Sequence, residues 1–415
     1  MLDRSAAPPL KHTLHFELPG YERFLEKNGL TGILIPSDRQ EVVRIEFVFP
    51  AGKICEPAAL VAHFTTNMLE KGTRKHNAES ISSILEFYSA HLELSAGYDH
   101  ANVGLVCLTQ NLNKVLPLLL ELLTEPSFDE SELRISKEIF VQNLQINLEK
   151  NSFLAAQNIR KLIFGAHPYG TSPSVESAES IMPAMLTEFF QEKFIPEYIF
   201  IAGKIEPADL KFIQDHFHAP AQPPLQLSAS PVIQNPASDH FKKPHSVQSS
   251  IRMGRQPIGR MHPDFTGLVL ANHMLGGFFG SRLMKNIREE KGLTYGIYSA
   301  VQQMQHAGIH SIGADVNKEN LEAALDAINH ELRSLPDFSQ EELMTAKHHL
   351  IGSIQLDVNT IFSAAEKIKS IFLNNLPEQY FSEQIMQIHN LEMKDVRRCA
   401  EAYFAPEQFS VATVG

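Results

Sequence analysis

Three kinds of residue in this sequence could do chemistry: scattered histidines, an arginine and tyrosine set seven apart, and three cysteines. His63 stands in the run His63-Phe64-Thr65-Thr66-Asn67. A lone imidazole there cannot hold Zn2+, because protein zinc sites take three or four ligands. On its own it reads as a hydrogen-bonded helix residue. His348 and His349 are adjacent, so on a helix they point in different directions and read as surface or packing residues. Cys55, Cys107 and Cys399 are odd in number and widely spaced, which implies neither a disulfide framework nor a CxxC metal site. Arg288 and Tyr295 are a guanidinium and a phenol, both hydrogen-bond donors, and their spacing by itself assigns them no role. Taken alone, Arg288 could equally pair with Glu289 or Glu290, and Tyr295 could be an ordinary strand aromatic.

The elements that must position these residues alternate between strand and helix. Val43, Ile45, Phe47 and Phe49 have the period of a strand. A helix is predicted from about Pro57 to Glu70, with proline in its first turn. Ile81, Ile84, Leu85 and Tyr88 follow at helical spacing, then Leu92, Leu94 and Ala96 at strand spacing. Helices are predicted near 111–123 and 129–149. In the second half Ser339 and Glu342 form a capping-box signature for a helix matching the one at Asp129. Hairpin strands covered by helices make an α+β fold.

The chain is a duplication. Three segment pairs match at an offset of 210 residues: Tyr88-Ser89-Ala90 with Tyr298-Ser299-Ala300, Pro126-Ser127-Phe128 with Pro336-Asp337-Phe338, and Phe194-Ile195-Pro196-Glu197 with Phe404-Ala405-Pro406-Glu407. Leu133 and Lys137 repeat as Leu343 and Lys347. Residues 219–246 hold six prolines and read as an extended linker that carries no helix or central strand. The expected layout is an N-terminal domain at 1–218, a linker at 219–246 and a homologous C-terminal domain at 247–415. Each domain is a mainly antiparallel sheet covered by helices.

Bulk properties narrow the function classes. A length of 415 residues exceeds one ordinary core. A net charge of −12 argues against nucleic-acid binding, which needs phosphate-neutralising Lys and Arg. The longest apolar stretch, Val115 to Leu123, is far too short to span a membrane. The first residues show no apolar leader, so the cytoplasm is the expected location.

Ala51-Gly52-Lys53-Ile54-Cys55-Glu56-Pro57 followed by His63-Phe64-Thr65-Thr66-Asn67-Met68-Leu69-Glu70-Lys71-Gly72-Thr73 resembles the active-site segment of the insulinase and pitrilysin-like zinc peptidases, of the mitochondrial processing peptidase type. Those enzymes carry H-x-x-E-H on this helix, two histidines on one face with a Glu between them to activate the zinc-bound water. Here the base position is Thr66, whose hydroxyl takes no proton near neutral pH. The second ligand position is Asn67, a poor zinc ligand beside imidazole. The resemblance puts the third ligand at Asn143, 76 residues beyond Asn67. Glu138 is five positions from Asn143 and points elsewhere. Only His63 remains, so no metal is expected on this chain.

The second half keeps what the first has lost. Asn272 to Leu283 and Ile287 to Tyr295 resemble the family's second-domain signature, in which an Arg and a Tyr hold the substrate backbone and polarise the scissile carbonyl. The matching positions are Arg288 and Tyr295. Ala166-His167-Pro168-Tyr169-Gly170 is a further family landmark. The resemblance implies a zinc-deficient member that binds peptide substrates as the non-catalytic subunit of a heteromeric peptidase, with zinc supplied by a homologous partner chain. A structural or assembly protein resembling respiratory-chain core subunits is the alternative, and it would not need Arg288 and Tyr295. An autonomous hydrolase would need a replacement cluster of His, Asp or Glu, and no such spacing is present.

Overall fold

The computed structural model describes residues 16–217 and 234–415. The N-terminal residues read for a leader and residues 219–233 of the proline-rich stretch lie outside the described residues. The first half forms a six-stranded sheet from β1 (Glu22–Lys27), β2 (Leu30–Pro36), β3 (Val42–Phe49), β4 (His91–Ala96), β5 (Ala101–Leu108) and β6 (Tyr198–Gly203). Its order is β1-β2-β6-β3-β5-β4, antiparallel except for the β2/β6 pair. The second half forms a five-stranded sheet from β7 (Ser238–Phe241), β8 (Gln248–Arg255), β9 (Thr294–Gln303), β10 (Gly308–Asn317) and β11 (Ser410–Val414). Its order is β7-β11-β8-β10-β9, again antiparallel except for one pair, β7/β11.

Without β1 the two orders are the same, so the duplication extends to topology. β7 lies within the stretch read as linker. It is an edge strand, the place where a proline-rich neighbourhood is tolerated in a sheet. Side chains repeat too. Lys137 on the helix Glu130–Leu148 donates to the carbonyls of Glu179 at 2.6 Å and Ile181 at 3.0 Å. Lys347 on the helix Gln340–Leu356 donates to those of His389 and Leu391. All three positions differ by 210. One sequence match, however, is coincidental. Tyr88 ends the helix Ala78–Phe87, whereas Tyr298 lies within β9. The hairpins pair Ala96 with Ala101 and Gln303 with Gly308, so the register there is 207, not 210.

The halves exchange helices. Ile159, Ile163 and Phe164, from the first-half helix Asn151–Phe164, pack against Ile309 and Ala412 of the second sheet. Ala365 and Ile368, from the second-half helix Ile361–Leu373, pack against Ile33, Ile35, Val48 and Phe200 of the first. Burying each large aliphatic side chain contributes about 1.5–3 kcal/mol, so this exchange joins the halves strongly. Lys369 on that second helix also reaches Glu46 of β3, at 2.8 and 3.0 Å from its two carboxylate oxygens.

The helix predicted from Pro57 begins later, at Val61, and runs to Met68. Leu60 takes φ +77°, a left-handed conformation that interrupts any earlier helix. The buried carboxylate of Glu56 instead accepts the backbone N–H of Ala62 at 3.1 Å, which fixes the start of the helix.

Candidate functional site

The positions where the sequence places a lost zinc site lie on two packed helices, Val61–Met68 and Glu130–Leu148. His63 is half-buried, and burial holds its imidazole below the usual range, in the neutral form. Its ring centroid is 5.0 Å from that of Phe140, one turn before Asn143. Asn67 turns its amide nitrogen toward His63, 3.3 Å from the ring Nδ1, and donates to the His63 carbonyl at 2.8 Å. A hydrogen-bonding amide therefore sits at one ring nitrogen of His63. Thr66 is fully buried, and its hydroxyl donates back to the Ala62 carbonyl at 2.8 Å. Asn143 is exposed. Glu138 faces Arg134 at 3.5 Å on the solvent side of the same helix.

These residues do not fit Zn2+. They offer one imidazole, already engaged, and neutral oxygen or amide groups elsewhere. Among the described residues no group of three or more His, Cys, Asp or Glu side chains is placed to hold a metal ion. His349 is not a bare surface residue. Its Nδ1 lies 2.9 Å from Nε2 of buried His273, and the Phe278 ring packs against both imidazoles.

Arg288 lies on Met284–Glu290, a seven-residue π-helical segment that Gly292, at φ +61°, turns into β9. The wider turn of a π-helix re-aims its side chains relative to an α-helix. Arg288 makes no ion pair with Glu289 or Glu290. Its guanidinium instead lies over the ring of Phe279, 4.7 Å from the centroid. Phe279 is 61% exposed and Tyr295 is 95% exposed, so the phenol is open to solvent, while Arg288 is half-buried. Tyr295 makes no hydrogen bond within the described residues. Sequence reasoning missed Phe279. It falls within the glycine-bracketed turn Gly276 to Gly280, nine residues before Arg288, a spacing that marks no contact on a regular helix.

The structure thus brings Arg288 and Phe279 together on the second half, with Tyr295 near the start of β9. It brings His63, Thr66, Asn67 and Phe140 together on the first. No hydrogen bond, ion pair or ring contact joins the two groups among the described residues. Chemically, the second group can donate to a carbonyl or carboxylate, whereas the first has no free base or nucleophile.

Two family models match this chain: one described as insulinase (peptidase family M16) over residues 33–172, and one described as peptidase M16 inactive domain over residues 181–350. A Bacillus subtilis protein named uncharacterized zinc protease YmxG is 21% identical over 402 residues, covering 95% of this chain and 98% of that protein. The Helicobacter pylori non-peptidase homolog YmxG is 23% identical over 368 residues, covering 85% and 84%. A solved peptidase M16 inactive domain from Pseudomonas fluorescens matches with a TM-score of 0.86 at 24% identity, over 95% of this chain and 98% of that one. The periplasmic protease PqqL of Escherichia coli matches with a TM-score of 0.76 at 15% identity, over 100% of this chain but 49% of PqqL. At these identities the solved structures establish the fold.

Proposed function

This chain belongs to the insulinase-like M16 peptidase superfamily as a zinc-site-deficient member, and we propose that it is the substrate-handling subunit of a two-chain peptidase whose metal belongs to a homologous partner. One observation carries the reading. Arg288 is held on Phe279 with no carboxylate of its own, and Tyr295 seven residues on is exposed, while Thr66 and Asn67 on the other half are tied by hydrogen bonds within their own helix. A guanidinium free of internal acids is available to a peptide carbonyl, and a solvent-facing phenol is a second donor. Loss confined to the zinc helices, with the donors kept, suits a division of labour between two chains. The match to about half of PqqL supports the same view, since a longer chain of this fold has room for two such pairs of domains.

In this reading the substrates are extended peptides and the partner is a zinc-motif homologue of similar length. Among the described residues no helix is long and apolar enough to cross a membrane. A cytoplasmic location belongs to the same proposal. The test compares hydrolysis of a mixed peptide library by this chain alone, by a zinc-motif homologue from the same genome alone, and by the mixture. Activity confined to the mixture, and slowed by Arg288→Ala, is the expected result. A full rate in the Arg288→Ala mixture refutes the role given to Arg288. A silent mixture, with the chain copurifying in a membrane complex, would point to the assembly role.

A further inference from the structure

At the junction of the two halves, two cations share one aromatic ring. Lys53 Nζ lies 5.3 Å from the Tyr98 ring centroid, and the Arg160 guanidinium carbon lies 4.7 Å from it. The charges are therefore no further apart than those two distances combined. All three residues are half-buried. Charges withdrawn from water are ordinarily paired, and here neither cation has an ion-pair partner. The acids nearest in sequence make no ion pair with either cation, although the Glu56 charge still acts on Lys53 through space. Glu56 caps the helix at Ala62, and Asp99 accepts from the Tyr169 hydroxyl and from the Gln305 backbone N–H.

Two donors on one helix face are unmet at this place. One terminal nitrogen of Arg160 and the amide nitrogen of Gln157 are buried without an acceptor. Gln157 and Arg160 are three apart on the helix Asn151–Phe164 and so share a face. Lys53 uses one of its N–H groups on the Thr171 carbonyl at 2.6 Å, at the solvent edge, and has two more to give. A set of donors with a double positive charge calls for an acceptor-only, doubly negative group.

We propose that Lys53, Arg160 and Gln157 form a binding site for a tetrahedral dianion of the phosphate type. The site joins the loop leading to the His63 helix, the β4–β5 hairpin and the helix that packs on the second sheet. Its occupancy stiffens the seam on which the relative setting of the two halves depends. It rests on none of the peptidase reasoning above.

The test titrates inorganic phosphate against the full chain by thermal unfolding and calorimetry, at matched ionic strength, with acetate and chloride as the comparison anions. Phosphate also stabilises proteins unspecifically by exclusion from their surfaces, but that effect is non-saturating and survives substitution. The expected result is a saturable rise in midpoint for phosphate alone. Arg160→Leu weakens it about tenfold or more, the loss of one charge-assisted hydrogen bond. Gln157→Leu, which removes no charge and keeps the helix, weakens it less and serves if the arginine variant does not fold. A rise that never saturates, or one equal in wild type and Gln157→Leu, overturns the site. An equal saturable response to acetate overturns the dianion assignment in favour of a carboxylate.

Discussion

The ion cluster where the helix Ile361–Leu373 crosses the first sheet makes a quantitative prediction. Glu46 on β3 is 5% exposed. Lys369 Nζ contacts both of its oxygens, at 2.8 and 3.0 Å, and Arg44 Nη2 stands 3.3 Å from it. Glu366, at 2.7 Å from Lys369 and 2.5 Å from Arg44, and Glu93, at 3.0 Å from Arg44, complete the cluster. Lys369→Met keeps the packed methylenes and removes only the charge. Breaking a buried pair costs about 3–5 kcal/mol, because the remaining carboxylate is left uncompensated. Arg44 stays within reach of Glu46, so the low end is expected, about 3 kcal/mol, or a few degrees in the unfolding midpoint. Burial pushes the Glu366 carboxyl up, but the Lys369 and Arg44 charges outweigh it and hold the group below its ordinary range. A depressed carboxylate stabilises above its unfolded pKa, and that contribution is lost as pH falls through the folded value. The wild type should therefore lose stability below about pH 4.5 more steeply than the variant. Urea unfolding of wild type, Lys369→Met, Glu46→Gln and the double variant closes the cycle. A loss under about 1 kcal/mol for Lys369→Met, or strict additivity of the two substitutions, would show that the halves are held by packing alone.

Further tests reach the two candidate sites and the core. Restoring Thr66→Glu, Asn67→His and Asn143→Glu together should give a chain that retains about one zinc through dialysis, whereas Asn67→His alone should retain none, as metal analysis would show. Arg288→Ala should slow the two-chain peptidase by about a hundredfold, yet shift stability by no more than about 0.5 kcal/mol, since the side chain has no internal acid. Phe279→Leu should lower the rate in the same direction, with Phe279→Trp restoring it, because only an aromatic face seats the guanidinium. Fully buried His310, held by Ser299 at 3.0 Å, has its imidazole pushed down to about 3, first by burial and then by Arg255. A depressed histidine favours the folded state above its unfolded pKa, so stability should fall as pH drops below about 6.5, by about 2 kcal/mol at pH 5. A flat profile between pH 7 and 5 would contradict this.

The amino-acid sequence by itself determined the duplication, the α+β class and the loss of the metal site, because each rests on local information. Repeat register survives in residues that make the same contact twice, as Lys137 and Lys347 do, and a ligand set is legible by its side-chain chemistry: Thr66 and Asn67 lack the groups zinc needs wherever they sit. Helix and strand periods are local too, although the left-handed Leu60 moved one helix start in a way no periodicity records. Only the tertiary structure decided how the two halves are joined and which groups their donors face. The exchanged helices, the Lys369–Glu46 contact and the two cations on Tyr98 connect residues more than forty positions apart, and no spacing rule foresees them. The same holds for Arg288. Its sequence neighbours Glu289 and Glu290 invited an ion pair, but the π-helical turn carries the guanidinium to Phe279 instead, where it pairs with neither.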